Sequence, residues 1–371
     1  MQTHADRRSF STVVHRALTL GVGAGVCLLG AASVALGGDK VGTMMPGAFK
    51  YLGNASCSAC HTEASKKGGG SNKKGDQCDI WEKSDPHHKS FEVLGEGKSP
   101  EIAKKLGIAK AGESDRCLSC HAVNAPADRR DKKFDISEGN SCESCHGPGE
   151  KWVKPHETAG WTAGERGKMD AAALMTTYGL IDTTNYAARA QMCVACHLSI
   201  DKDMVDAGHP ALKFEMAGYN NYNYGDYLPH WEEAKGKANG ARLWAVGQAA
   251  ALAAAGKGGP AVDGLKKVYE AGVAVAKKNF GADTAEALNK ATYDAAKCKS
   301  AAIDLAATAD LAKTDQERFV IASGVAELVS ASFDATGGET PKNVLDAINK
   351  LMDAKGDGFA AAAKGVAAMA K

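Results

Sequence analysis

Four times in this chain two cysteines stand three positions apart, with a histidine directly after the second. The copies are Cys57-Ser-Ala-Cys60-His61, Cys117-Leu-Ser-Cys120-His121, Cys142-Glu-Ser-Cys145-His146 and Cys193-Val-Ala-Cys196-His197. The spacing has a chemical reason. Two thiols must add to the two vinyl groups on one porphyrin edge, and two intervening residues bring both sulfurs there. The histidine then turns beneath the ring, where its imidazole binds the iron as proximal ligand. Four covalently attached c-type haems follow from the pattern, with His61, His121, His146 and His197 as proximal ligands. A four-cysteine zinc site, a thioredoxin-like pair or a set of disulfides would each leave the four histidines unexplained.

What fills the second axial position decides between electron transfer and catalysis. Two strong-field ligands keep iron low-spin, which suits electron transfer, while an open face can bind small molecules. Beyond residue 38 the histidines outside the motifs are His87, His88, His156, His209 and His230. Five candidates stand for four distal positions. Met192, Met204 and Met216 lie nearby and are read as packing residues.

Residues 51 to about 230 resemble the tetrahaem cytochrome c-554 family, whose best-known members accept electrons from hydroxylamine oxidoreductase in nitrifying bacteria. The likeness rests on the first motif followed by Trp81 and His87-His88-Lys89-Ser90-Phe91. It is strongest at Cys142-Glu-Ser-Cys145-His146-Gly147-Pro148-Gly149 with His156 just beyond, then at Cys193 to Leu198. Gly208-His209-Pro210 through Glu215, with Pro229-His230-Trp231, is similar to a wider group of exported multihaem cytochromes. The resemblance implies distal roles for His87 (which fits better than His88), for His156, and for His209 or His230. It also implies an open iron on His121, although the extra histidine could close that site.

Around these sites the chain divides by composition. Residues 1–38 are expected to be a signal peptide or N-terminal anchor, 39–239 a tetrahaem cytochrome domain, and 240–371 an α-helical domain. The first stretch carries Arg7, Arg8 and Arg16 ahead of 22 residues without charge, Ala17 to Gly38. Small residues Ser33-Val34-Ala35 suit cleavage near Ala35, whereas an uncleaved segment is about long enough to anchor the chain in a membrane. Cleavage would remove three arginines and one aspartate and turn the formal charge of +1 into −1. Nothing in that balance favours nucleic acid. Both readings put the protein in the periplasm or otherwise outside the cytoplasm.

The middle stretch is rich in glycine and turn residues, as expected where haems themselves supply the core. Only 20 residues separate His121 from Cys142, so the second and third haems should be neighbours. Lys66 to Gly75 reads as a flexible surface loop. Trp152 and Trp161 should pack near haem edges. After Gly240 alanine becomes abundant and apolar residues recur at helical spacing: Leu265, Val268, Tyr269, Val275; Phe319, Ala322, Val325, Val329; Val344, Leu345, Ile348, Leu351. Asp283 with Glu286, Thr314 with Glu317, and Thr340-Pro341 look like helix starts. The expected fold is mainly α: a multihaem domain with little regular structure around four haems, then a bundle of about four or five helices. Cys78 and Cys298 are the two thiols left over beyond the signal, and a disulfide between them would join the two domains.

These readings favour an exported electron carrier working between redox partner proteins. The alternative is a haem enzyme or gas-binding protein acting on a small nitrogen oxide at one five-coordinate iron.

Overall fold

In the computed structural model the described residues are 49–66, 76–158, 160–161, 164–198, 200–221, 238–256 and 263–371. The N-terminal segment 1–38, nearly all of the lysine-glycine loop, and His230 lie outside them. The described residues contain helices but no strand; Tyr51 and Arg130 form one isolated bridge. The fold is mainly α, as the composition and periodicity suggest.

Up to residue 221 the helices are short. Gln77–Ser84, Asp115–His121, Cys142–His146 and Lys202–Ala207 have eight residues or fewer, and Tyr186–His197 is the longest at 12 residues. This half has no single core. Three small apolar clusters serve instead, around Leu94 and Leu118, around Trp152, Trp161 and Leu174, and around Tyr51 and Val123. Chain segments are joined by buried polar ties. Glu143, inside the third motif, accepts hydrogen bonds from the N–H groups of Leu52, Gly53 and Gly149 at 2.9, 2.8 and 2.6 Å. Gly53 can bring its N–H there because it has φ 82°, and a Cβ on it would collide with the Lys133 carbonyl.

From Asn239 the helices lengthen: Asn239–Ala255, Asp263–Phe280, Ala285–Lys290, Ala295–Ala306, Asp315–Asp334, Lys342–Asp353 and Gly358–Ala367. That is seven where the periodicity suggests four or five. Asn239–Ala255 escapes a periodicity reading because Leu243 to Ala251 is an unbroken buried run, so it has no polar face. Asp315–Asp334 is buried almost as fully and opens with the expected capping box, Thr314 with Glu317. The other two starts shift by one residue. Thr284 caps Ala285–Lys290 while Asp283 pairs with Lys277 at 2.8 Å, and Pro341 takes the cap position before Lys342. Leu345, expected on a core face, is 42% exposed.

One apolar core runs from Ala187 to Ala370, so Ala187, Ala190 and Val194 of the fourth-motif helix pack with the bundle helices. Close approach is part of this packing: a Cβ on Gly324 would meet the Trp244 indole and Leu305 Cδ2. Cys298 is buried in this core on Ala295–Ala306, whereas Cys78 sits among the motif cysteines. Both are free, and the disulfide that would have joined the two domains is not formed.

Leu305 is almost fully buried. Leu305→Ala should therefore cost about 2–5 kcal/mol, while Leu345→Ala should stay within about 0.5 kcal/mol. Urea unfolding of the haem-loaded protein measures both, and equal losses would contradict this packing.

Candidate haem-binding cavity

Two kinds of element position the motifs. The second, third and fourth motifs each end a helix on their histidine, at His121, His146 and His197. The first sits on a turn after Asn54–Ser56, with His61 N–H bonded to the Cys57 carbonyl at 3.0 Å. All eight motif cysteines and all four motif histidines line one cavity of about 1590 Å³. Single small-ligand pockets usually span about 300–1,000 Å³. The space is therefore too large for one ordinary ligand.

The thiols mark how the motifs adjoin. Cys142 has Cys57 and then Cys78 as thiol neighbours, which with burial push it well up; its Sγ also lies 3.2 Å from Asn54 Oδ1. Burial and then the nearby Cys193 raise Cys145 far above its ordinary value. Cys196 is raised by Cys120 and by burial. First motif meets third, third meets fourth, and fourth meets second. The second and third adjoin as well, through Asn140 Nδ2 to the Cys120 carbonyl at 2.6 Å and Val123 N to the Gly139 carbonyl at 3.1 Å.

Facing the motif histidines are three of the others. His61 and His156 stand with ring centroids 6.1 Å apart and planes 12° from parallel. His197 and His87 are 5.8 Å apart, with 3.5 Å between their Nε2 atoms. His121 and His209 are 6.3 Å apart. An imidazole nitrogen binds a metal such as zinc at about 2.0–2.1 Å, so two imidazoles on opposite sides of a similar ion hold their nitrogens about 4 Å apart. The observed pairs have the reach for one ion each.

Their tautomers fit too. His61 Nδ1 lies 3.0 Å from Gln77 Oε1, His87 Nδ1 2.8 Å from Asp85 Oδ1, and His121 Nδ1 2.7 Å from the Ser90 carbonyl. His156 Nδ1 meets the Val153 carbonyl at 2.5 Å and His209 Nδ1 the Pro210 carbonyl at 2.9 Å. A proton held on Nδ1 by such an acceptor leaves the Nε2 lone pair available to iron. Burial lowers His121, and burial followed by the nearby His87 lowers His197 to about 4, so both stay neutral at pH 7. Burial also acts against charging His87, but the Asp85 hydrogen bond and charge prevail and raise it. The donor set suits haem iron.

The remaining candidates are placed differently. His88 turns away, its ring 4.5 Å from Trp81 and its Nδ1 without a hydrogen-bond partner. His146 has Trp152 at 6.3 Å, and Trp152 and Trp161 line the cavity. His230 falls outside the described residues. The placement of His209 departs from the resemblance, which implies an open iron at His121. Arg116, on the second-motif helix, reaches Asp203 at 2.7 Å and Asp201 at 3.1 Å, and Lys105 Nζ holds the Ala207 carbonyl at 3.0 Å. These ties fix Lys202–Ala207 beside that motif. Gly208, at φ 113°, then reverses the chain so that His209 faces His121.

Residues missed by the sequence reading include Asp85, Gln77, Arg116 and Arg189. Arg189 is buried one helical turn before Cys193, and its charge lies close enough to favour the thiolates of Cys145 and Cys193. Its place four residues before a motif cysteine on a helix was the available signal.

Residues 56–147 match the family model described as cytochrome c554 and c-prime. The matched segment, about a quarter of the chain, is similar to that family. It contains the first three motifs; the fourth lies beyond it. Comparison with curated proteins and with solved structures gave no match. That similarity supports a haem-containing electron-transfer protein with covalently bound c-type haem. Among the described residues no helix is long and apolar enough to cross a membrane.

Within this matched segment Glu143 is a buried carboxylate that holds three N–H groups. Glu143→Ala would leave three N–H groups without their acceptor, at about 1–3 kcal/mol for each one left unsatisfied. A loss of at least about 3 kcal/mol is expected in urea unfolding of the haem-loaded protein. A loss below about 1 kcal/mol would mean that the three N–H groups find water instead.

Proposed function

We propose that this chain is an exported tetrahaem c-type cytochrome that passes electrons between redox partner proteins. The observation that carries the reading is the set of three facing imidazole pairs across one cavity that all four CxxCH motifs line. Cys57 and Cys60, Cys117 and Cys120, Cys142 and Cys145, and Cys193 and Cys196 are the covalent anchors. His61 with His156, His121 with His209, and His197 with His87 are the axial pairs. His146 is the fourth proximal ligand.

When bound, haem supplies reversible one-electron chemistry. The residues determine how well that chemistry serves transfer. Two imidazoles on one iron favour the low-spin state in both oxidation states, so little rearranges when an electron arrives. Gln77, Asp85 and the carbonyls of Ser90, Val153 and Pro210 hold the imidazoles in the metal-binding tautomer. Thiols of different motifs within hydrogen-bonding distance set the attachment edges side by side. No general acid or base is required.

Intact mass should show four haems, and stopped-flow mixing with a reductant should reduce all of them quickly. His209→Ala should convert one haem from low-spin to high-spin in electron paramagnetic resonance and let the reduced form bind carbon monoxide. His88→Ala should leave the spectrum unchanged. Fewer than four haems, or slow and partial reduction, would sink the carrier reading. A high-spin signal in the unaltered protein that disappears with nitric oxide would favour a small-ligand site instead.

A further inference from the structure

The electron-carrier reading assigns no role to a carboxyl buried where the haem cavity meets the helical bundle. Glu215 is fully buried between Phe214 and Met216, and both of these neighbours line the cavity. Its carboxylate accepts from the N–H groups of Ala217 (3.3 Å) and Gly218. One turn on, Tyr219 donates its N–H to the Glu215 carbonyl at 3.0 Å and sets its ring 5.2 Å from the His197 imidazole. Glu215 is thus joined through its own helical turn to the ring that packs on His197 of the fourth motif.

The groups around it are mostly uncharged. From Asp315–Asp334 comes the buried Ser323, whose Oγ has no hydrogen-bond partner. Ser323 Oγ and Glu215 Oε2 lie 2.6 and 2.9 Å from the point that a Cβ on Gly218 would occupy, so the hydroxyl and the carboxyl flank the same glycine. Glu327, one turn further along that helix, is a second buried acid. From Asp263–Phe280 the Tyr269 hydroxyl donates to the Phe214 carbonyl at 2.7 Å. On its own segment Lys213 turns its Nζ over the Phe319 ring at 3.9 Å, and the Tyr219 hydroxyl donates to the Lys213 carbonyl. Among the described residues no cation offsets the carboxylate; burial, opposed only by the two N–H groups, lifts it to about 7.

A carboxyl in that position responds to charge nearby. An electron added at an iron on His197 adds negative charge at that motif, in surroundings with little water to screen it. The ionised form of Glu215, already costly to bury, becomes costlier, and binding a proton removes the conflict. We propose that Glu215 takes up a proton when the iron on His197 is reduced, so that electron transfer at the fourth motif is coupled to proton transfer. The proposal rests on the reading that this motif carries haem. An external one-electron donor supplies the electron that takes the iron from ferric to ferrous. Solvent supplies one proton, which forms an O–H bond on the Glu215 carboxylate. Oxidation by an electron-accepting partner reverses both.

The direction follows from linkage. Where Glu215 is protonated in both oxidation states the midpoint potential does not depend on it. At higher pH, reduction draws in a proton and the potential falls as pH rises, at up to 59 mV for each tenfold drop in proton activity. The fall stops where the reduced form also ionises.

The test is spectroelectrochemical titration of the haem-loaded protein and of Glu215→Gln from acid to alkaline pH, with haem content fixed by intact mass. Glutamine keeps a carbonyl oxygen for the two N–H groups but binds no proton in this range. One haem of the unaltered protein should show the fall above neutrality, and in Glu215→Gln its slope should drop at least threefold. Infrared difference spectra of the unaltered protein offer a readout that needs no variant: a protonated carboxyl band should grow on reduction. Equal slopes in the two proteins at full haem content, or no such band, would overturn the coupling alone. Absence of haem from the fourth motif would overturn the underlying reading and the coupling with it.

Discussion

The proposed haem sites depend on holding facing imidazoles at a fixed separation, with an acceptor on Nδ1 of five of the six to leave Nε2 for metal. Unsupported imidazoles would approach as a hydrogen-bonded pair, fill the gap with water, or take up protons. Burial opposes protonation, as the depression of His197 and His121 shows. The Nδ1 acceptors oppose rotation and choose the tautomer. Much of the short, irregular structure between residues 49 and 221 serves these two ends. Asp85 caps the Pro86–Lys89 turn by accepting the His87 N–H and binds Nδ1 of the same residue, so one carboxylate fixes both backbone and ring.

Such a half cannot stabilise itself by an ordinary core, because the space a core would fill is the cavity. The bundle after residue 238 compensates. Its alanines and glycines let helices approach closely, and the apolar core continues into Tyr186–His197 through Ala187, Ala190 and Val194. That helix turns one face to the bundle and carries the fourth motif at its end. Rigidity built by helix packing therefore reaches His197 directly, without an intervening loop.

Covalent attachment made the motifs legible, since the two thioether bonds and the iron bond fix a spacing within five residues and no tertiary contact is needed to read it. The distal side was harder. The resemblance points to His87 and His156, but the placement of His209 opposite His121 depends on Arg116 meeting Asp203, 87 positions away in the chain. The bundle shows the same contrast. Thr314 and Glu317 announce a helix start through contacts three residues apart. Asn239–Ala255 is silent because burial on most sides removes the alternation that periodicity detects. Glu215 is silent for another reason: in sequence, a buried carboxyl looks like any surface glutamate.

Glu143 and Glu215 show how the use of a buried acid depends on what surrounds it. Both are nearly inaccessible, and burial raises both. Glu143 takes two N–H groups from Leu52 and Gly53, about 90 positions away, and a third from Gly149, so its oxygens are committed to joining a distant segment to its own. Glu215 takes two N–H groups from its own turn, a local arrangement that a protonated carboxyl can keep through its carbonyl oxygen. Adding a proton at Glu143 would compete with a tie between segments, while adding one at Glu215 disturbs one turn. A protein that must gain and lose negative charge without changing shape can place a proton acceptor at the second kind of site but not at the first.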